Sequence, residues 1–370
     1  PKHHLPVSLN GVQEGDFSMV FGFPGSTDRF LTSTGIEQAI NLYNPTVVEI
    51  REQKLAIMKE AMDADDAVRI ALASNYASTA NYWKYFIGQT EQLKKNRVKA
   101  KKEAIEATYL AWANADESRA AYAGALDLLD EAYAATDATV KGQVYLMEGG
   151  IRGASLPLYA FRLNRMLGAL ESSEELEEDK QAVLEYAADH FSEYQADVDR
   201  KLATALWSMW MENVPADQQP SIFTEVRDSM NGDVSVLVND VYDNSIYASK
   251  EALEAWLETM DFDALGEDKG GQVASSFINA YFAAQGRNAE VSEKMEKGYR
   301  LFTDGLRQAM PEKVFAPDAN STLRMTWGVV GSYDPQDAVH YDYVTTLDGV
   351  MQKEDPTNDE FIVPARLKEL

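Results

Sequence analysis

From about Gly35 to Pro311, apolar residues recur at steps of three, four and seven, the spacing that gathers them on one stripe of an α-helix. Val48, Leu55, Met58 and Met62 form one such stripe, Tyr122, Leu126, Leu129 and Tyr133 a second, and Tyr159, Leu163, Met166 and Leu170 a third. Phe191, Tyr194, Val198, Leu202, Leu206 and Met209 continue the pattern, followed by Met295, Phe302, Leu306 and Met310. Asn44-Pro45 reads as a helix start, and Gly149-Gly150, Asn231-Gly232 and Gly270-Gly271 as stops. No fixed period relates these segments, so the pattern predicts an irregular helical domain and not a solenoid.

The two ends have a different texture. Phe17–Phe23 is a short apolar run of residues that suit a pleated surface, closed by the turn signal Pro24-Gly25. Ser321–Val330 alternates, with Leu323, Met325 and Trp327 on one face, and Val339–Leu347 holds a second β-favouring stretch before Asp348-Gly349. Strands at both ends of one long helical block predict a mainly α chain in which a helical domain is inserted into a β domain. The parts are residues 1–34, 35–312 and 313–370. Insertions enter at loops whose ends lie close together, so the two terminal pieces are expected to pair. They are too few to close a barrel, which leaves only its edge strands here.

A hydrophobic fraction of 45% is enough for a sizeable core and argues against disorder. The longest apolar runs, such as Leu206–Met211, are far too short to span a bilayer. The formal net charge of -26 disfavours nucleic acid as a partner, since phosphate backbones are polyanions. The basic run Lys94, Lys95, Arg97, Lys99, Lys101 and Lys102 lies in a helical pattern and reads as a solvated face. Cysteine is absent, which excludes disulfides, thiolate metal sites and a Cys nucleophile from these residues.

Catalytic constellations are scarce. No Gly-x-Ser-x-Gly or Gly-Asn-Ser-Gly occurs in the sequence, so no nucleophilic serine is assigned. Of the four histidines, His190 follows Tyr186 by four residues and reads as a packed or capping side chain. His340 with Asp342 is a His-x-Asp pair, weak by itself as part of a triad, and His3-His4 lacks a third metal ligand. The carboxylates at Glu174–Glu178 and Asp63–Asp66 read as solvated surface and helix-start partners, because their spacing matches no calcium loop. No metal or cofactor is expected. The stretch Ser74–Gly88 differs, crowding Asn75, Tyr76, Asn81, Tyr82, Trp83 and Tyr85 into one helical segment. Such a segment either walls a pocket that orients a polar ligand or packs on its neighbours.

Three stretches together resemble one family. Glu14–Phe30 carries Gly-Phe-Pro-Gly-Ser-Thr-Asp-Arg, Asn81–Lys84 is Asn-Tyr-Trp-Lys, and Asn320–Gly328 is followed by Thr345-Thr-Leu-Asp-Gly349. In this order they are similar to serine peptidase family 46, the dipeptidyl-peptidase 7 and 11 type, over nearly the whole chain. The resemblance implies a chymotrypsin-like double β-barrel with a Ser-His-Asp triad, and a helical domain inserted in the second barrel that caps the cleft. It implies a serine-type dipeptidyl-peptidase acting on peptides with a free N-terminus, secreted to the periplasm or cell surface and homodimeric. An Asn on a cap helix would help bind the substrate's α-ammonium group; Asn81 matches that motif best and Asn75 is second. The triad is expected outside these residues, which would then be inactive alone, and Asp16 in Gly-Asp-Phe-Ser is expected to be a turn residue. Preference between hydrophobic and acidic penultimate residues is set near that serine and is not legible here.

Two other readings compete. A non-enzymatic helical periplasmic binding module would leave the terminal strands as barrel edges without a barrel. A metal-dependent helical hydrolase is disfavoured by scattered histidines and the lack of His-Glu-x-x-His.

Overall fold

A computed structural model describes residues 2–287 and 289–370. The chain divides into two units, residues 30–315 and residues 1–29 with 316–370. The first unit is helical. In chain order it runs α1 (Ser33–Gln38), α2 (Asn44–Ala64), α3 (Asp66–Lys95), α4 (Val98–Asn114), α5 (Ala120–Ala123), α6 (Ala125–Val144), α7 (Leu156–Ala169), α8 (Leu176–Phe191), α9 (Ala196–Asn213), α10 (Ile222–Ser229), α11 (Val234–Asn244), α12 (Lys250–Thr259), α13 (Phe262–Glu267), α14 (Lys269–Arg287) and α15 (Ala289–Ala309).

The predicted stripes supply the core. Leu55 and Met58 are buried with Val47 and Ile50 of α2, and Tyr159, Leu163 and Leu170 are buried on and just beyond α7. Around them Trp207 and Trp210 of α9 meet Phe223 and Phe277, two pairs edge-on and two tilted, at centroid distances of 5.2–6.5 Å. A second, smaller cluster joins Tyr109 to Leu126, Leu129, Phe302 and Leu306, so the last stripe packs on the second.

Several helix boundaries differ from the sequence expectation, each for a local reason. Asn44-Pro45 does not start a helix from a loop. A π-helical segment, Ala39–Tyr43, links α1 directly to α2, and Pro45 sits in the first turn of α2. The wider π turn accommodates a residue that lacks an N–H and crowds the preceding turn. Gly149-Gly150 lie inside a second π segment, Tyr145–Ile151, which continues α6. Gly270-Gly271 open α14 instead of ending a helix: a Cβ on Gly270 would lie 2.4 Å from Ser245 Oγ, so the glycine allows that close approach. Only Asn231-Gly232 is a true stop, with φ of 54° and 78° in the left-handed region. The stripe from Phe191 to Met209 is split between α8 and α9, because the chain leaves helical geometry between them. Likewise the basic run straddles the α3–α4 junction, where Arg97 has φ of 50°.

The second unit is built on a ribbon. β1 (Phe17–Gly22) pairs antiparallel with β2 (Arg324–Val329), from Phe17 opposite Val329 to Gly22 opposite Arg324. The two ends of the chain therefore meet, as the strand pattern anticipated. The loop after β1 is tied to the return segment by Asp318, whose Oδ1 accepts from Thr27 Oγ1 at 2.7 Å and Arg29 N at 2.8 Å. One ribbon face carries most of the exposed apolar groups, with Phe17 64%, Trp327 69% and Val329 70% exposed, and Val20 at 62% stands on the other. The stretch from Val339 is shorter as a strand than expected. β3 (Tyr333–Gln336) and β4 (Val339–Tyr341) form an irregular hairpin, and residues from Leu347 turn helical.

Candidate substrate-binding helix and its buried support

Helix α3 begins where Asp65 Oδ1 accepts from the backbone N–H groups of Ala67 (2.7 Å) and Val68 (3.3 Å), with Asp66 beside it in the first turn. Lys94 and Lys95 occupy the last turn, where cations meet the negative end of the helix. Its inner face buries Leu72 and Thr79 and half-buries Tyr76, Trp83 and Phe86 against the core. Its outer face exposes Ser74, Ser78, Asn81 and Tyr85. The rings of Tyr43, Tyr82 and Tyr85 gather about Phe86 at 5.7, 6.4 and 5.1 Å. Asn44 Nδ2 fixes the far end of α3 by donating to Gln89 Oε1 (2.9 Å) and Thr90 Oγ1 (3.0 Å).

Asn75 and Asn81 are both exposed but are not brought together. Six residues apart, they point roughly 120° from each other around the helix. Asn75 lines a cavity of about 450 Å³ with Ser78, Ser155, His190, Tyr194 and Asp199; Asn81 lies outside it. Asn75 Oδ1 also accepts from Thr79 Oγ1 at 3.4 Å.

The cavity's rear wall is organised by Asp199, a buried carboxylate with no signature in the sequence. Its Oδ1 accepts from Ser155 N (2.6 Å) and Ser155 Oγ (3.1 Å). Its Oδ2 accepts from Leu156 N (3.1 Å), Tyr194 OH (3.2 Å) and Tyr242 OH (2.7 Å). Asp199 thereby caps the N-terminus of α7, where a negative charge is favoured. Burial and the neighbouring Asp199 charge push the Tyr194 hydroxyl well above the usual range. His190 stacks on Tyr159 at 3.8 Å and 7°, a packed ring whose charged form burial disfavours.

Beneath α3 lies a cluster of buried charge. Arg51 Nη2 of α2 donates to Glu148 Oε1 of the second π segment at 2.9 Å, both side chains nearly buried. One turn on, Lys54 Nζ donates to Arg152 O at 2.7 Å, and burial lowers its pKa from 10.5 to about 8 against the opposing pull of Glu148.

The remaining histidines form no triad. His340 Nδ1 meets Asp334 Oδ1 at 2.8 Å on an exposed hairpin, so its partner is Asp334 and not Asp342. His3 and His4 are exposed outside any helix or strand. Asp16 Oδ2 accepts from Gln13 N at 2.7 Å, a turn contact. Among the described residues no group of three or more His, Cys, Asp or Glu is placed to hold a metal, and no helix is long and apolar enough to cross a membrane.

The family profile described as Peptidase S46 matches residues 1–370. The chain belongs to the peptidase S46 family. Among its S46 relatives, dipeptidyl-peptidase 7 of Phocaeicola vulgatus is 35% identical over 100% of this chain and 52% of that protein. The Asp/Glu-specific dipeptidyl-peptidase of Porphyromonas gingivalis is 31% identical over 100% of the chain and 51% of its own length. The crystal structure of Porphyromonas endodontalis DPP11 in complex with the dipeptide Arg-Glu superposes with a TM-score of 0.86 at 29% identity, covering 100% of this chain and 53% of that one. The chain thus spans about half the length of the curated S46 relatives it matches.

Proposed function

We propose that these residues are the helical cap, with part of the β framework, of a serine dipeptidyl-peptidase that releases dipeptides from free peptide N-termini. The observation that carries this reading is the match, over 100% of the chain, to proteins named dipeptidyl-peptidase 7 and Asp/Glu-specific dipeptidyl-peptidase. Relatives of both kinds match along the full 370 residues, so the reading concerns the framework they share and leaves the penultimate-residue preference to other parts of the protein. The helical block, residues 35–312, is read as an insertion into a chymotrypsin-like barrel contributed in part by residues 1–34 and 313–370. The pairing of β1 with β2 across some three hundred intervening residues supports it. By the same resemblance the protein is taken to be periplasmic or at the cell surface, and a homodimer.

In this mechanism the cap excludes long N-terminal extensions and pins the substrate's ammonium group, so that the second peptide bond meets the nucleophile. Asn81 is the residue assigned to the ammonium, with Asn75 second. An amide oxygen accepts from an ammonium without the desolvation cost of a carboxylate. The exposed position of Asn81 among Ser74, Ser78 and Tyr85 supports the assignment, because nothing in the fold of α3 requires an amide there. In the full-length gene product, Asn81→Ala is expected to lower kcat/KM by about tenfold or more while leaving the melting temperature within a degree or so. Unchanged kinetics on a free dipeptidyl substrate would remove Asn81 from the site, and a loss seen with Asn75→Ala alone would transfer the role to the cavity.

A further inference from the structure

Arg51 makes three contacts on two neighbouring elements of the helical unit at once. From α2 its Nη2 reaches Glu148 in the second π segment at 2.9 Å, its Nη1 reaches Thr79 O in the middle of α3 at 3.4 Å, and its Cζ lies 5.2 Å from the Tyr82 ring centroid. Thr79 and Tyr82 flank Asn81, two residues before it and one after. Thr79 faces inward and Asn81 outward, so the guanidinium presses on α3 from the side opposite the candidate ligand face.

Stability alone does not account for such a pair. Removing two charges from water costs about what their attraction returns, and apolar residues of similar volume commonly do as well. Here Arg51 Nε and Glu148 Oε2 are both buried with no hydrogen-bond partner among the described residues, which makes the pair costlier still. What a planar guanidinium adds is geometry, because its fork donates in two directions while its face lies against an aromatic ring. We infer that Arg51, oriented by Glu148, is a positioning residue that sets the height and rotation of α3 and hence where Asn81 stands. The inference rests on the reading of Asn81 as the ammonium-binding residue.

The test is a double-mutant cycle in the full-length gene product, reading KM and kcat separately on a dipeptidyl reporter with a free N-terminus. Arg51→Met is expected to raise KM by about tenfold with kcat within about twofold, and Arg51→Lys, which keeps the charge but not the fork, to fall between. In the Asn81→Ala background the same Arg51→Met change is expected to raise KM by less than about twofold, because the group it positions is gone. If Arg51→Met strands Glu148 and the protein does not fold, Arg51→Met with Glu148→Met removes both charges, and the same cycle is run on that pair. A full tenfold effect that persists in Asn81→Ala overturns the inference while leaving Asn81 in place. Loss of kcat with unchanged KM overturns it as well. A silent Asn81→Ala overturns the underlying reading first, and this inference with it.

Discussion

Asp199→Asn isolates the cap of α7 with almost no change in shape. The two backbone donors it satisfies lie on opposite oxygens, Ser155 N on Oδ1 and Leu156 N on Oδ2. An asparagine amide has one acceptor and one donor end, so either orientation turns an NH2 group toward one of those N–H groups. The hydroxyls of Ser155, Tyr194 and Tyr242 can rotate to suit the new pattern, but the backbone cannot. One charge-assisted bond is lost, worth about 1.5–3 kcal/mol, and a buried donor is left facing a donor. The helix also loses the negative charge at its N-terminus, worth up to about 2 kcal/mol in a partly buried setting. Relaxation recovers part of this, and a net cost of about 3 kcal/mol is expected for opening the start of α7. The change is confined to the start of α7, so the appropriate assay is hydrogen exchange resolved to peptides covering residues 153–170. A local loss of about 3 kcal/mol corresponds to exchange roughly a hundredfold faster there. Tyr194→Phe, which removes one rotatable donor, is expected to change it by less than about tenfold. Exchange of the α7 start within about threefold of wild type in Asp199→Asn would refute the capping argument.

Other consequences are sharper at single sites. Lys54 has a folded-state pKa of about 8 against 10.5 when unfolded, so between those values the unfolded chain holds more protons and stability rises with pH on this residue's account. The full rise is roughly 3 kcal/mol, and the difference in stability between wild type and Lys54→Met is expected to shift by that amount from pH 7.5 to pH 10.5; parallel pH profiles would contradict it. A Cβ on Gly150 would sit 2.7 Å from Trp210 Cζ3 and 3.3 Å from Phe277 Cδ2, both fully buried rings. Gly150→Ala is therefore expected to destabilise by about 2 kcal/mol, and a variant melting with wild type would show that the π segment yields more easily than its packing indicates.

Much of the helical unit is legible from spacing because burial and helical period coincide: Tyr159, Leu163 and Leu170 are spaced as a stripe and are all buried. Strand character at both ends is legible from residue type and alternation and not from burial: β1 falls within the apolar run and β2 within the alternating one, though both strands are largely exposed. The punctuation is less legible. A Gly-Gly pair that ends one helix, opens another or lines a π turn looks the same until its neighbours are known, and Ser245 stands 25 residues before Gly270. The polar interior is not legible at all. Asp199 finds donors 43 and 44 residues away, Arg51 meets Glu148 across 97, and Thr27 meets Asp318 across 291. Polar residues of this kind look like surface in a hydropathy pattern, and only the tertiary fold shows Asp199 and Glu148 buried and Arg51, Thr27 and Asp318 half-buried. Asn81 is the opposite case: periodicity puts it on the outer face of α3, but its assigned chemistry comes from the family motif.

The most direct measurement is the product pattern of the full-length gene product on two versions of one peptide, with a free and with an acetylated N-terminus, followed by mass spectrometry. Successive loss of two-residue units from the free peptide, with the acetylated one left intact, is the expected result. Equal cleavage of both, release of single residues, or cuts at internal bonds would contradict the account of a cap that holds a substrate by its ammonium group.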